Sequence, residues 1–288
     1  MAFSPLATPG ATLDVLRAHG LYTRKSLGQH FLVDNNVVAR ITELAALTAT
    51  DPVLEIGPGI GTLTVALCAE AGSVVAVERD ARLMPVLEDT LGECGNVTVV
   101  HADAVDVPLE RLDTPLGLPV ALVANLPYSV AATVVLRFFE ESPSLRFAVV
   151  MVQAEVADRM TAGPGTKQYG SYTVKLGLHA EPGARFPVPR SCFLPPPRVD
   201  SAVVRLDRTD RGVAPEVLGS AARMADAAFA QRRKTVRNSL TSALGATPDE
   251  VEAVLAAAGV DPARRAETFS IGEYLTLGSA ALKSGLLP

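Results

Sequence analysis

At 288 residues and 48% hydrophobic content, the chain suits one large domain or a large one plus a small one, and is too apolar for disorder. The net charge of −5 taken alone argues against a nucleic-acid partner. No apolar run reaches the ~18 residues of a membrane span, and the absence of a basic-then-apolar leader predicts that the chain is not secreted.

Residues 1–20 are expected to be a mobile segment. Asp34, followed by Asn35-Asn36, reads as a helix cap. Apolar, β-rich runs then recur at Val53–Ile56, Val74–Val77, Val97–Val100, Val120–Ala124 and Phe147–Val152. Stretches with helical periodicity, such as 63–67 and 83–91, lie between them. This alternation predicts a parallel sheet covered on both faces. Ser171–His179 and Val199–Leu206 read as two more strands. Pro182, Pro187, Pro189 and Pro195–Pro197 occupy the stretch between them, so an antiparallel closing pair is expected.

After about residue 210 the pattern turns helical: Pro215–Arg232, Lys234–Leu244, Pro248–Ala258 and Ile271–Lys283, with breaks at Gly245, Gly259 and Pro262. Thr247-Pro248-Asp249-Glu250 is a helix start with a Thr cap and Pro at the first helical position. The predicted organisation is an α/β domain over 21–209 and a helical domain over 210–288. Cys68, Cys94 and Cys192 are odd in number, widely spaced and outside any C-x-x-C pattern. They predict a reduced, cytosolic protein without structural metal, the cysteines being small core residues.

The charge is unevenly distributed. Arg185 to Arg237 carries eleven Arg or Lys against five Asp or Glu, which leaves the rest of the chain at −11. Such a local basic surface can hold phosphates on an acidic protein. Part of it is compositional, since Arg outnumbers Lys 21 to 5.

Four predicted strand ends carry chemistry. The first leads into Gly57-Pro58-Gly59-Ile60-Gly61, a turn where a ligand can approach the backbone, or simply a tight strand–helix connection. Its G-x-G-x-G spacing departs from the dinucleotide pattern. The second ends in Glu78, 21 residues after Gly57, where a carboxylate can accept both hydroxyls of a ribose. The third is followed by Asp103, which can accept from an adenine amine; each acid alone is more often a solvated loop residue. The fourth runs into Asn125-Leu126-Pro127-Tyr128. The Asn125 side-chain oxygen and a backbone carbonyl can accept both hydrogens of an exocyclic amine. Pro127 biases Leu126 toward an extended conformation, and the Tyr128 ring can lie against a base. The alternative is an Asn-initiated turn with Tyr as core filler. Together the strand ends favour an adenosine-containing cofactor.

These residues resemble the S-adenosylmethionine-dependent rRNA adenine-N6 dimethyltransferases. The resemblance rests on Glu55-Ile56-Gly57-Pro58-Gly59, Glu78, Asp103 and Asn125–Tyr128. It extends to the upstream Lys25-Ser26-Leu27-Gly28-Gln29-His30-Phe31-Leu32-Val33-Asp34 and to Phe193-Leu194-Pro195-Pro196-Pro197-Arg198-Val199-Asp200-Ser201. Phe229-Ala230-Gln231-Arg232-Arg233-Lys234-Thr235-Val236-Arg237-Asn238-Ser239-Leu240 is similar to the helical-domain signature of the KsgA (RsmA) branch. The match runs from about residue 21 to 275.

The resemblance implies a class I methyltransferase fold, with a Rossmann-like seven-stranded sheet and a small all-helical C-terminal domain. It implies that the main chain around His30 and Leu32 closes over S-adenosylmethionine. Gly57 then packs on the methionine portion, Glu78 holds the ribose and Asp103 the adenine, with Gly59, Arg79, Ala104 and Asn125 beside them. Asn125 orients the target amine, with Leu126 and Pro127 shaping that loop, and Tyr128 and Phe193 sandwich the base. Arg232, Arg233, Lys234 and Arg237 are the implied RNA contacts, although such a helical cluster can be a solvated face. His30 departs from the Asn of many relatives.

The implied activity is N6,N6-dimethylation of two adjacent adenosines in the 3′-terminal hairpin of 16S (small-subunit) rRNA, during small-subunit maturation. It yields S-adenosylhomocysteine and needs no metal. The expected partner is small-subunit rRNA in a pre-30S particle, with no membrane and a monomeric protein. The rival readings are the large-subunit resistance branch, a non-catalytic assembly factor, and a nicotinamide-dependent oxidoreductase, which the glycine spacing disfavours.

Overall fold

The computed structural model describes residues 3–22 and 30–287. The motif residues Lys25, Ser26, Leu27, Gly28 and Gln29 lie outside them. The chain divides into two compact units, Met1–Ala157 with Pro182–Arg208, and Asp158–Glu181 with Thr209–Pro288. The segment Asp158–Glu181, which the sequence pattern assigns to the α/β part, thus clusters with the helical one.

The first part of the chain forms α1 (Pro9–Ala18), β1 (Phe31–Leu32), α2 (Asn35–Ala45), β2 (Pro52–Ile56), α3 (Thr62–Glu70), β3 (Ser73–Glu78), α4 (Met84–Thr90), β4 (Val97–His101), β5 (Ala121–Asn125), α5 (Ala131–Glu141) and β6 (Phe147–Gln153). There follow α6 (Ala154–Met160), α7 (Ser171–Gly177), β7 (Ala180–Val188), β8 (Phe193–Leu194) and β9 (Ser201–Arg208). Seven strands make one sheet in the order β4-β3-β2-β5-β6-β9-β7. Pairs from β4 to β6 are parallel, and β6 pairs antiparallel with β9.

The strand composition explains the layering. β2 and β3 are buried throughout and β5 and β6 nearly so, because both faces of the sheet are covered. Val53 packs with Val38 and Ile41 of α2 and Leu67 of α3. Its neighbour Leu54 faces the other way, onto Phe138 of α5 and Leu145. The strand order runs outward from β2 to β4, then returns to place β5 on the other side of β2. A crevice opens at the carboxyl ends where the order reverses.

Two expectations are corrected in this part of the chain. Residues 3–20 are not a loose arm. Thr8 caps α1, accepting from the Ala11 N–H, and Leu16 is buried against Phe31, Ile60, Leu83 and Val86. The Asn35 side chain ties down Ser4 through both its backbone N–H (2.9 Å) and its carbonyl (3.1 Å). Ser171–His179 is not a strand: Ser171–Gly177 is helix α7, and Leu178-His179 is a turn. The alternation of Tyr172, Val174 and Leu176 imitates a strand, but the Gly170 N–H donates to Thr173 Oγ1 and starts a helical turn. The strand next to β9 is β7, whose Pro182 and Pro187 are tolerated because it lies at the sheet edge.

The helical unit is completed by α8 (Pro215–Phe229), α9 (Val236–Leu244), α10 (Pro248–Ala257) and α11 (Ile271–Ser284). Thr247 and Glu250 form a reciprocal cap on α10: the Thr247 N–H donates to Glu250 Oε2 (2.8 Å) and the Glu250 N–H to Thr247 Oγ1 (3.3 Å). Met224, Ala225, Tyr274 and Leu277 are core residues where α8 meets α11. The close approach depends on Gly278, where a Cβ would stand 2.6 Å from the Ala221 backbone nitrogen. Gly278→Ala is therefore expected to lower stability by about 1–3 kcal/mol in urea denaturation. Gly219→Ala on the open side of α8 should instead be neutral or stabilising by about 0.5–1 kcal/mol.

Candidate active site

The crevice holds a cavity of about 480 Å³ in the α/β unit, lined from four separate stretches of chain. The β2 turn gives Glu55, Gly57, Pro58 and Gly59, and the β3 end gives Glu78, Arg79 and Asp80. The β5 loop gives Asn125 to Ser129, and His30, Phe31 and Leu32 come from β1 and its approach.

Gly57 adopts φ +70° and Gly59 φ +63°, a region that side chains disfavour. A Cβ at Gly57 would meet Pro127 Cγ at 3.0 Å, so bare backbone lets the two loops touch. Glu78 is buried. Its Oε1 accepts the Asp80 N–H (2.7 Å) and its Oε2 the Gly59 N–H (3.4 Å). Burial raises its pKa and these amide donors oppose the rise. Asp103 and Ala104 are not among the residues that line the cavity. The Arg79 guanidinium joins Asp103 to it at 3.2 Å, while Asp103 Oδ1 accepts the Val105 N–H.

Asn125 closes β5 opposite Met151 of β6. Among the described residues its side-chain amide has no hydrogen-bond partner, and it borders the cavity. The Tyr128 hydroxyl and Ser201 Oγ of β9 are hydrogen-bonded at 2.7 Å, which fixes the ring.

Phe193 corrects the expected aromatic sandwich. Its ring is 2% exposed and belongs to the core with Leu32, Val38 and Val203. The short antiparallel β1–β8 ladder pairs Leu32 with Phe193, and both side chains are buried. The ring that meets Tyr128 is His30, with centroids 5.7 Å apart and planes at 29°. His30 Nδ1 is also hydrogen-bonded to the Pro195 carbonyl at 2.7 Å. The residue that departs from the family pattern thus fastens the proline loop to the Tyr128 ring through its side chain.

Sequence reasoning assigned no role to Glu55, although it quoted the residue. An acid inside an otherwise apolar strand was the available signal. The side chain is 1% exposed, lines the cavity and leaves Oε2 without a partner. Burial pushes it up to about 8.

The basic stretch is also redistributed. Arg205 donates to the Leu44 carbonyl (2.7 Å), and Arg208 to those of Phe139 (2.9 Å) and Ser142 (2.8 Å). Arg211 donates to Gly177 O and Arg237 pairs with Glu252. These charges serve the fold. Arg232, Arg233 and Lys234 are exposed, in the turn between α8 and α9 rather than on a helix, with Arg232 reaching the Lys167 carbonyl at 2.7 Å. Among the described residues no group of His, Cys, Asp or Glu converges as a metal site, and no helix is long and apolar enough to cross a membrane.

A family model described as "Ribosomal RNA adenine dimethylase" matches residues 20–281. The chain belongs to that family. A Geobacillus kaustophilus protein named ribosomal RNA small subunit methyltransferase A is 41% identical over 285 residues, covering 96% of this chain and 97% of its own. A Bacillus cereus protein of the same name is also 41% identical, over 283 residues. Among solved structures, the 23S rRNA methyltransferase ErmE is 30% identical with a TM-score of 0.66, covering 87% of this chain and 98% of its own. A Plasmodium falciparum dimethyladenosine transferase shares the fold at 22% identity, TM-score 0.73, covering 89% of this chain and 98% of its own.

An rRNA adenine dimethylase of this class I methyltransferase fold uses S-adenosylmethionine, and the residues fit that group. Two buried carboxyls, one with a free oxygen, suit a ligand that carries an ammonium and a sulfonium. Glu78 lines the cavity with a carboxyl able to accept from a diol, and the Gly57 turn offers bare backbone. Gly57→Ala should weaken S-adenosylmethionine binding about tenfold or more, since positive φ costs a side chain about 1–2 kcal/mol and Pro127 must move. Calorimetric titration checks this, and an unchanged affinity would contradict the cradle.

Proposed function

We propose that this rRNA adenine dimethyltransferase transfers methyl groups from S-adenosylmethionine to N6 of two adjacent adenosines in the 3′-terminal hairpin of 16S rRNA. It acts within a pre-30S particle, in the cytoplasm, as a monomer and without a metal. The observation that carries this reading is the unpartnered Asn125 amide on the same cavity as Gly57 and Glu78. The 41% identity over nearly the whole chain to proteins named for the small subunit supports the choice of subunit.

When bound, the cofactor supplies the electrophilic methyl. The chain's task is to present a poor nucleophile to it, because the lone pair of an adenine amine is delocalised into the ring. Asn125 Oδ1 and the Leu126 carbonyl accept the two amine hydrogens, which favours a more tetrahedral nitrogen and localises its lone pair. No proton need leave before attack. The protein contributes orientation and fixed dipoles. Leu126 is buried and its N–H is held by Met151 O at 3.1 Å, which steadies the loop. A stacked base cannot reach this crevice, so the target is unpaired or flipped out. Stacking on Tyr128 offsets the unstacking cost by ~1–3 kcal/mol. With Phe193 in the core, His30 is the ring placed to share that stacking.

The test is transfer of labelled methyl to unmodified small subunits, with large subunits as control and mapping of the product nucleotides. Dimethyladenosine at the paired 3′-hairpin sites is expected, and label on large subunits alone would transfer the assignment to the resistance branch. Asn125→Ala should abolish turnover while S-adenosylmethionine affinity stays within about twofold, because the amide acts on the target amine. We place RNA contact at Arg232, Arg233 and Lys234. Their joint change to Ala should reduce the slope of log affinity against log salt by about 2 to 3, at roughly 0.7–0.9 per phosphate contact. An unaltered slope would move the RNA surface elsewhere.

A further inference from the structure

β2 is apolar except at Glu55, between Leu54 and Ile56 and two residues before Gly57. The side chain is 1% exposed and lines the cavity, and its Oε2 has no partner. A carboxylate so placed is costly when ionised and holds its proton instead. Burial raises its pKa to about 8; the Thr64 hydroxyl opposes the rise and the nearby Glu78 adds to it. Around it, β3 contributes the acidic Glu78. From α3 comes Cys68, whose thiol is pushed far up by burial and stays neutral. β5 contributes Asn125, which does not titrate. The cavity-lining Arg79 and Arg82 are engaged by Asp103 and Asp80. Among the described residues, no cation meets Glu55.

We propose that Glu55 is protonated in the empty cavity and ionises to accept the primary ammonium at the amino-acid end of the cofactor, so that cofactor capture releases a proton. This rests on the S-adenosylmethionine reading above. The Glu55 O–H bond breaks, the proton passes to buffer, and the ammonium keeps its three hydrogens while donating one to Oε2. The ammonium is the group selected because Glu55 lines the cavity from the same strand and turn as Gly57, with Thr62 and Leu63 of α3 following. Glu78 and Arg79 line it from the end of β3, where the proposed reading puts the ribose and adenine, and the sulfonium methyl must face Asn125. Since the empty site binds the extra proton, raising the pH favours the complex. Affinity should climb by up to about tenfold per pH unit below about pH 7 and turn over near pH 8, where the ligand's own α-ammonium begins to lose its proton.

Calorimetric titration of the full-length protein with S-adenosylmethionine, at about pH 7 in phosphate and in Tris, counts the protons released. The expected result is about one proton, since a group titrating near 8 is then mostly protonated. S-adenosylhomocysteine, which keeps the ammonium, should release as many, and 5′-methylthioadenosine, which lacks it, none. Glu55→Gln should still bind, release none and show a pH-flat affinity. Equal release by wild type and Glu55→Gln overturns the proposal. So does release with S-adenosylmethionine but not S-adenosylhomocysteine, which would point to the sulfonium. Binding without release sinks this inference alone; no binding at all sinks the cofactor reading and this with it. If Glu55→Gln fails to fold, carbon-13 carboxyl spectra of the wild type decide. One glutamate should titrate near 8 in the free protein and leave that range when S-adenosylhomocysteine is added.

Discussion

The site depends on the contact between the Gly57 turn and the Asn125–Pro127 loop. The reversal of strand order sets β2 beside β5, so the loops that leave them emerge side by side. A side-chain-free backbone at φ +70° lets them close to contact, with Pro127 Cγ where a Cβ would begin to clash. This approach puts the carboxyls at the β2 and β3 ends and the Asn125 amide on one cavity. Group transfer between two bound molecules needs that juxtaposition, because holding both partners removes the entropic part of the barrier.

Electrostatics then restricts what can enter. Glu55 and Glu78 are both buried, and burial disfavours their charged forms. Backbone amides meet Glu78, whereas Glu55 has an unmatched oxygen. Such a pair is better satisfied by a cationic ligand than by an anionic or neutral one. The nearby arginines do not supply that cation, since Asp103 and Asp80 hold them.

The base-facing side is built from segments far apart in the chain. Ser201 of β9 anchors the Tyr128 hydroxyl, the β1–β8 ladder carries His30 to the ring, and the Pro195 carbonyl holds the imidazole. The proline-rich loop therefore acts through its backbone, and Phe193 contributes packing. A base that stacks on Tyr128 meets a surface held on several sides, which reduces the ordering left to be done on binding.

The sequence by itself determined the parallel strands, the helical second unit and the residues at the strand ends. Those features follow from hydrophobic periodicity, caps and glycine turns, all local properties of the chain. Local pattern misled where two structures share it. The alternation in Ser171–His179 suits a buried helix end as well as a strand, and nothing local to residues 3–20 reveals that Asn35 and Phe31 hold them. Only the tertiary structure decided that Phe193 turns into the core and His30 faces Tyr128. It also committed Arg205, Arg208 and Arg211 to backbone carbonyls and left Glu55 with a free oxygen. Each outcome is set by burial and by partners that chain separation hides, so it exists only once distant segments have met.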